Sequence, residues 1–162
     1  FRSAVAAMTY GDDVIGSVHP DFRGFNFLTY KEFLRKQNMR ITLPDKSEYE
    51  VDFLYAEDCD FLKRKSHYIR EIDCEVGMLD EDSIFKSLHA NLSSPSVSQT
   101  EVAMSCCDTA LHEWFAYGKY HYEMRREQLT EVCHRAGIAT TPAFISFEER
   151  VAKWKDQYTN GC

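Results

Sequence analysis

The chain is poor in several features that would have fixed its class at once. No cysteine pair has C-x-x-C spacing, and the six cysteines (Cys59, Cys74, Cys106, Cys107, Cys133 and Cys162) follow no zinc-ligand pattern. No apolar run is long enough to cross a membrane, and no signal-peptide pattern is present. Without a disulfide framework or a leader, reduced thiols in a cytosolic setting are expected. No internal repeat or low-complexity segment appears. Positive charge is also short: 19 Lys and Arg face 26 Asp and Glu, for a net charge of -7. A free-standing nucleic-acid binder is usually basic, so this balance argues against binding RNA or DNA by bulk charge. It leaves room for a catalytic piece whose basic surface lies elsewhere. The sequence opens on Phe1 and not on Met, which is expected of a fragment or a processed product.

What is present is a globular composition. The 162 residues are 44% hydrophobic and 14% aromatic, enough to bury a core in one domain or two small lobes.

The chain is organised around Tyr10-Gly11-Asp12-Asp13. Ala4-Val5-Ala6-Ala7-Met8-Thr9 precedes it and Val14-Ile15-Gly16-Ser17-Val18 follows. Two short apolar runs with a Gly-Asp-Asp turn between them predict a β-hairpin. Gly11 can take a positive φ without steric cost. The prediction sets two adjacent carboxylates, Asp12 and Asp13, on the hairpin tip. Neighbouring carboxylates repel unless a cation sits with them, and their oxygens suit Mg²⁺ or Mn²⁺. Taken alone, the same tripeptide is a solvated surface turn.

Further along, apolar spacing predicts a helix over residues 26–37, with Lys31, Glu32, Arg35 and Lys36 on its polar face. Arg40-Ile41-Thr42-Leu43 reads as a short strand ended by Pro44-Asp45-Lys46. Lys46 is either a solvated lysine or a cation aimed at a phosphate. Residues 47–60 read as an acidic loop with a short turn. Phe61-Leu62-Lys63-Arg64 and residues 68–72 read as the strands of a second hairpin, with Lys63 and Arg64 as an exposed strand end or a clamp on backbone phosphate.

Beyond Met78 the pattern becomes helical. Asp80 caps a helix to about Ala90, Ser93-Ser94-Pro95-Ser96 is a loop, and Gln99 or Thr100 opens a long helix broken at Gly118. Another helix runs from about Tyr120 to Arg135 and stops at Gly137. Thr141-Pro142 connects to a last helix with a Ser146/Glu149 capping box. The aromatic stretch Trp114, Phe115, Tyr117, Tyr120 and Tyr122 reads as helix core before base-stacking surface. His112 and His121 near Cys106 and Cys107 fit no closed metal pattern. Cys107 with His112 lacks the surroundings of a thiol protease. The fold class is therefore α+β, with a carboxylate-bearing hairpin and flanking helix followed by an all-helical part.

Three stretches in order, Tyr10-Gly11-Asp12-Asp13, Thr42-Leu43-Pro44-Asp45-Lys46 and Phe61-Leu62-Lys63-Arg64, resemble palm motifs C, D and E of viral RNA-dependent RNA polymerases. The picornavirus-like group is the nearest form, and Leu111-His112-Glu113-Trp114 leading to Gly118 and Tyr122 looks like its thumb. The resemblance implies that residues 1–78 are the end of the palm and 79–162 the thumb. It implies Asp12 and Asp13 as metal-binding catalytic carboxylates for Mg²⁺ or Mn²⁺, and Lys46 as general acid or electrostatic stabiliser at the leaving pyrophosphate. It further implies Lys63 and Arg64 beside the primer strand, and Lys119, Arg125 and Arg126 as possible phosphate contacts. Motifs A and B and the fingers would lie upstream of Phe1, so this piece alone would be inactive. Implied partners are RNA template and primer, nucleoside triphosphates, the rest of the polymerase and other viral replication proteins, in host cytoplasm at replication complexes. The alternatives are a non-catalytic helical interaction domain with a surface Gly-Asp-Asp turn, and a reverse transcriptase, which usually has another residue in place of Gly11.

Overall fold

A computed structural model describes residues 3–47, 50–89, 96–138 and 144–159. The expectations for Phe1, Arg2, Ala90, Ser93-Ser94-Pro95, Thr141-Pro142 and Cys162 fall outside these residues. The architecture is α+β, as expected, with two small two-stranded sheets and five helices among the described residues. The chain divides into two compact units, Phe1–Lys65 and Ser66–Cys162.

The first unit opens with the expected hairpin. β1 (Val5–Tyr10) and β2 (Asp13–Val18) pair antiparallel from Val5↔Val18 to Tyr10↔Asp13. A bond of 2.8 Å from His19 N–H to the Ala4 carbonyl extends the ladder. The loop is only Gly11-Asp12. Gly11 has φ +60 and Asp12 stays out of the positive-φ region, the pattern of a two-residue type II′ turn with Gly at its first central position. Asp12 is therefore on the tip, and Asp13 is the first residue of β2. α1 (Phe27–Lys36) follows. Its N-cap Asn26 and N3 Thr29 bond reciprocally, as in a capping box. Phe27 N–H donates to the Asp52 carbonyl at 3.0 Å, tying the helix start to the later loop.

Residues 40–43 are not a strand. Their Ile/Leu alternation is real, but among the described residues no neighbouring strand pairs with them, and an extended segment without a partner gains no ladder. Leu43 is nonetheless buried. With Ala4 and Leu34 it makes up the buried residues of this unit among those described, while Met8, Tyr10, Phe33 and Tyr55 are exposed. A two-stranded hairpin is marginal by itself, so this unit has little core of its own.

Residues 61–64 form a tight turn, not the strand expected of them. Phe61 and Arg64 exchange both backbone bonds at 3.0 Å, with Leu62 (φ +56) and Lys63 (φ +58) between them in the left-handed region. β3 (Arg64–Ile69) then pairs with β4 (Cys74–Leu79). Of residues 68–72, expected as a strand, Tyr68 and Ile69 end β3 and residues 70–72 enter the connecting turn.

The second unit holds the larger core. α2 (Glu81–Leu88) is capped by Asp80, which accepts from Ser83 N–H at 3.1 Å. α3 (Gln99–Trp114) begins at a Ser98/Glu101 capping box. A single 3-10 turn ends at Gly118, whose φ of +85 and ψ of 168 are open only to glycine. α4 (Lys119–Arg135) ends in a Schellman arrangement. There Ile138 N–H bonds to the Cys133 carbonyl at 2.9 Å and Gly137 N–H to that of His134 at 3.1 Å. α5 (Phe147–Thr159) starts at the expected Ser146/Glu149 box. Ile69, Ile72, Ile84, Leu111, Trp114, Phe115, Tyr122, Leu129 and Phe147 pack into one apolar cluster.

Candidate functional site

The sequence-derived site lies in the first unit. The strict β1–β2 register decides which side chains share a face, because alternate residues point to opposite sides of a sheet. Val5, Ala7 and Thr9 lie opposite Val18, Gly16 and Val14. This face borders a hollow of about 360 Å³. Tyr10 and its partner Asp13 belong to the other face and are exposed, as is Asp12.

The remaining walls of the hollow come from Phe27 and Tyr30 of α1, from Thr42-Leu43-Pro44, and from Cys59 and Asp60. So the inner face of the hairpin and the Thr42-Leu43-Pro44 part of the second stretch border one space, with Cys59 and Asp60 just before the third, while Asp12, Asp13, Lys46 and residues 61–64 are not among its lining residues. At the second stretch, Lys46 N–H closes a turn on the Leu43 carbonyl at 2.9 Å. Pro44 stands where its fixed φ favours turn entry. Lys46 has φ +59 and its side chain is exposed. Lys63 is exposed at the centre of the 61–64 turn, and Arg64 is half-buried at the start of β3. Asp60, not singled out as a site residue from the sequence, adds a carboxylate to the lining.

The donor set at the hairpin suits a hard divalent cation. Mg²⁺ is ordinarily held by one or two carboxylates, with waters and substrate phosphates filling the other positions. Asp12 and Asp13 supply two carboxylates in the open. Among the described residues, no group of three or more His, Cys, Asp or Glu side chains is placed to enclose a metal by itself.

The helical unit assigns its other polar candidates to structural work. Arg125 donates to Glu81 Oε1 at 2.8 Å and stacks over the rings of Phe85 and Trp114, at 4.9 and 5.2 Å from their centroids. Arg126 is held by Glu123 at 2.6 Å, and Lys119 pairs with Glu148. All three, expected as possible phosphate contacts, are paired with carboxylates of their own unit. His121 meets Glu81 Oε1 at 2.7 Å and stacks on Tyr117. Burial, then the neighbouring Cys133 and Cys106, push the Cys107 thiol up to about 12, the opposite of an activated nucleophile. Trp114, Phe115 and Tyr122 are core residues, as expected of that aromatic stretch, while Tyr120 is exposed. The Glu81 centre was missed from the sequence. Its only local trace is the i,i+4 spacing of His121 and Arg125 on one helix face.

A hairpin with a carboxylate turn, a flanking helix and a helical second unit make a mixed α and β chain, consistent with a partial polymerase palm followed by a helical region. No family model matches the chain. It is 27% identical over 150 residues to the replicase polyprotein of Drosophila C virus (strain EB), covering 92% of this chain and 8% of that polyprotein. It is 30% identical over 139 residues to the RNA1 polyprotein of Broad bean wilt virus 1, covering 82% of this chain and 7% of that one. Among solved structures, the Sicinivirus 3Dpol RNA dependent RNA polymerase matches with a TM-score of 0.67 at 19% identity, over 95% of this chain and 31% of that one. The chain therefore spans under a tenth of the polyproteins it matches and about a third of that polymerase. These relatives support reading it as a fragment similar to picorna-like viral RNA-dependent RNA polymerases.

Proposed function

We propose that the chain is the C-terminal palm and thumb portion of an RNA-dependent RNA polymerase, with residues 1–78 serving as palm and 79–162 as thumb. The intact enzyme would join nucleoside triphosphates to an RNA 3′-hydroxyl on an RNA template by a two-metal reaction. The observation that supports this reading is the Gly11-Asp12 turn, which exposes the Asp12 and Asp13 carboxylates at the end of an antiparallel hairpin in a chain similar to picorna-like viral polyproteins.

In this reading Asp12 and Asp13 hold Mg²⁺ or Mn²⁺, Asp12 most directly because it stands on the tip. When bound, such cations neutralise the triphosphate and make the attacking hydroxyl more acidic. Lys46 sets an ammonium by the leaving pyrophosphate, as charge stabiliser or proton donor. Lys63 and Arg64 contact the phosphates of the primer strand. The exposed Met8, Tyr10 and Phe33 and the thin core of the first unit fit a piece whose apolar surface is covered by the rest of a larger polymerase. The fragment alone should be inactive. Its setting would be host cytoplasm, in replication complexes with other viral replication proteins.

The test is primer extension by the complete polymerase carrying this chain at its end. Template-dependent RNA growth with Mg²⁺ or Mn²⁺ is expected. Failure of a folded, complete protein to extend any RNA primer would overturn the reading and leave the Gly-Asp-Asp turn as surface on a non-catalytic interaction domain.

A further inference from the structure

Lys46 stands on a backbone that lysine rarely adopts. Its φ of +59 lies in the left-handed region, which glycine, asparagine and aspartate enter more readily than a long side chain does. Such a backbone persists where neighbouring groups hold it. Two hydrogen bonds do so here. The Lys46 N–H donates to the Leu43 carbonyl at 2.9 Å, closing a turn over Pro44 and Asp45. On the far side of Lys46, the Ser47 N–H donates to Asp45 Oδ1 at 2.9 Å. The Asp45 side chain therefore reaches past Lys46 and ties down the peptide that follows it, an Asx turn. Both Asp45 and Lys46 are exposed, so the ammonium projects from a braced backbone into open space.

We propose that Asp45 is a positioning residue for Lys46: its carboxylate braces the left-handed turn and so aims the Lys46 ammonium before substrate arrives. The proposal rests on the polymerase reading, in which Lys46 serves the leaving pyrophosphate. Asp45 acts through the backbone and touches neither substrate nor metal. With its side chain cut back, the Ser47 N–H loses its acceptor, Lys46 relaxes to an ordinary negative φ, and its Cα–Cβ bond points elsewhere. A misplacement of about 1 Å can cost on the order of a hundredfold in rate. The brace depends on an acceptor oxygen at the right reach and not on its charge, so asparagine at this position serves as well as aspartate.

The test is single-turnover nucleotide incorporation by the complete polymerase carrying Asp45→Ala, Asp45→Asn, Lys46→Ala, or Asp45→Ala and Lys46→Ala together. Asp45→Ala should lower the maximal rate by about tenfold or more and leave apparent nucleotide affinity little changed. Asp45→Asn should restore most of the rate. In the Lys46→Ala background, Asp45→Ala should cost nothing further, because the two residues act as one unit. Exchange of the Ser47 amide in the same proteins should quicken in Asp45→Ala and stay slow in Asp45→Asn. An unchanged rate in Asp45→Ala, a loss in Asp45→Asn as deep as in Asp45→Ala, or a loss that persists undiminished without the Lys46 amine would overturn the proposal. An unaltered enzyme that incorporates no nucleotide would instead overturn the polymerase reading, and Ser47 exchange would still report whether Asp45 braces the turn.

Discussion

Trp114 donates its indole Nε1–H to Glu81 Oε1 at 3.0 Å, linking the end of α3 to the first turn of α2. The same oxygen meets His121 at 2.7 Å and Arg125 at 2.8 Å from α4. One carboxylate thus fixes three helices against each other and satisfies an otherwise stranded indole. Partial burial pushes the Glu81 carboxyl up, and the bonds from Arg125, His121 and Trp114 outweigh it, so the group lies below its ordinary 4.5. Its stabilisation is complete above that ordinary value and is lost as pH falls through the lowered folded value. Glu81→Ala should cost about 2–3 kcal/mol at neutral pH by urea denaturation, since charged hydrogen bonds are lost and the indole is left unpaired. The loss should shrink toward acid pH.

Gly118 joins α3 and α4 at a φ and ψ closed to other residues. A Cβ there would meet no atom within 4 Å, so the penalty for Gly118→Ala is purely conformational. A loss of about 1–3 kcal/mol in thermal or denaturant unfolding is expected. A neutral result would mean that the junction relaxes freely.

Lys63 stands in the left-handed region beside Leu62 in the same state. Left-handed backbone costs an L-residue about 1–2 kcal/mol. Lys63→Gly should therefore stabilise the chain slightly, by under about 1 kcal/mol after the added freedom of the unfolded glycine. In the complete polymerase the same change should weaken primer binding. A variant that is both less stable and unimpaired in RNA binding would remove Lys63 from its proposed role.

Lys46→Ala in the complete enzyme should slow nucleotide incorporation more than it weakens nucleotide binding, because an ammonium by a departing pyrophosphate acts most where charge develops. Single-turnover kinetics separate the two effects. A change in apparent nucleotide affinity alone would leave Lys46 as a binding residue.

Much of this fold is legible from local signals. Asp80, Ser146 and Gly137 each terminate helices where the sequence says they should, because caps and left-handed stops are decided within a few residues. The Gly11 turn is legible for the same reason. Residues 40–43 mislead because a strand needs a partner, and partners are not local. The second hairpin is displaced because its first turn uses Leu62 and Lys63, which carry no turn signature. Ile69 and Ile72 are both buried around the following turn, where strict alternation would have put one of them outside. The Glu81 centre joins residues 33 to 44 positions apart, beyond the reach of any spacing rule. The site reading depended on the order of three stretches along the chain. The structure adds that Asp13 lies in a strand, on the face away from the hollow, and not beside Asp12 on the tip.

The central claim is that the Asp12 carboxylate grips a divalent cation beside a growing RNA end. The direct measurement is single-turnover nucleotide incorporation by the complete polymerase with Asp12→Asn, a change that keeps the turn's shape and removes its charge. A fall of at least about a thousandfold, roughly 4 kcal/mol on the barrier, is expected at saturating Mg²⁺. Incorporation at the unaltered enzyme's rate would contradict the account.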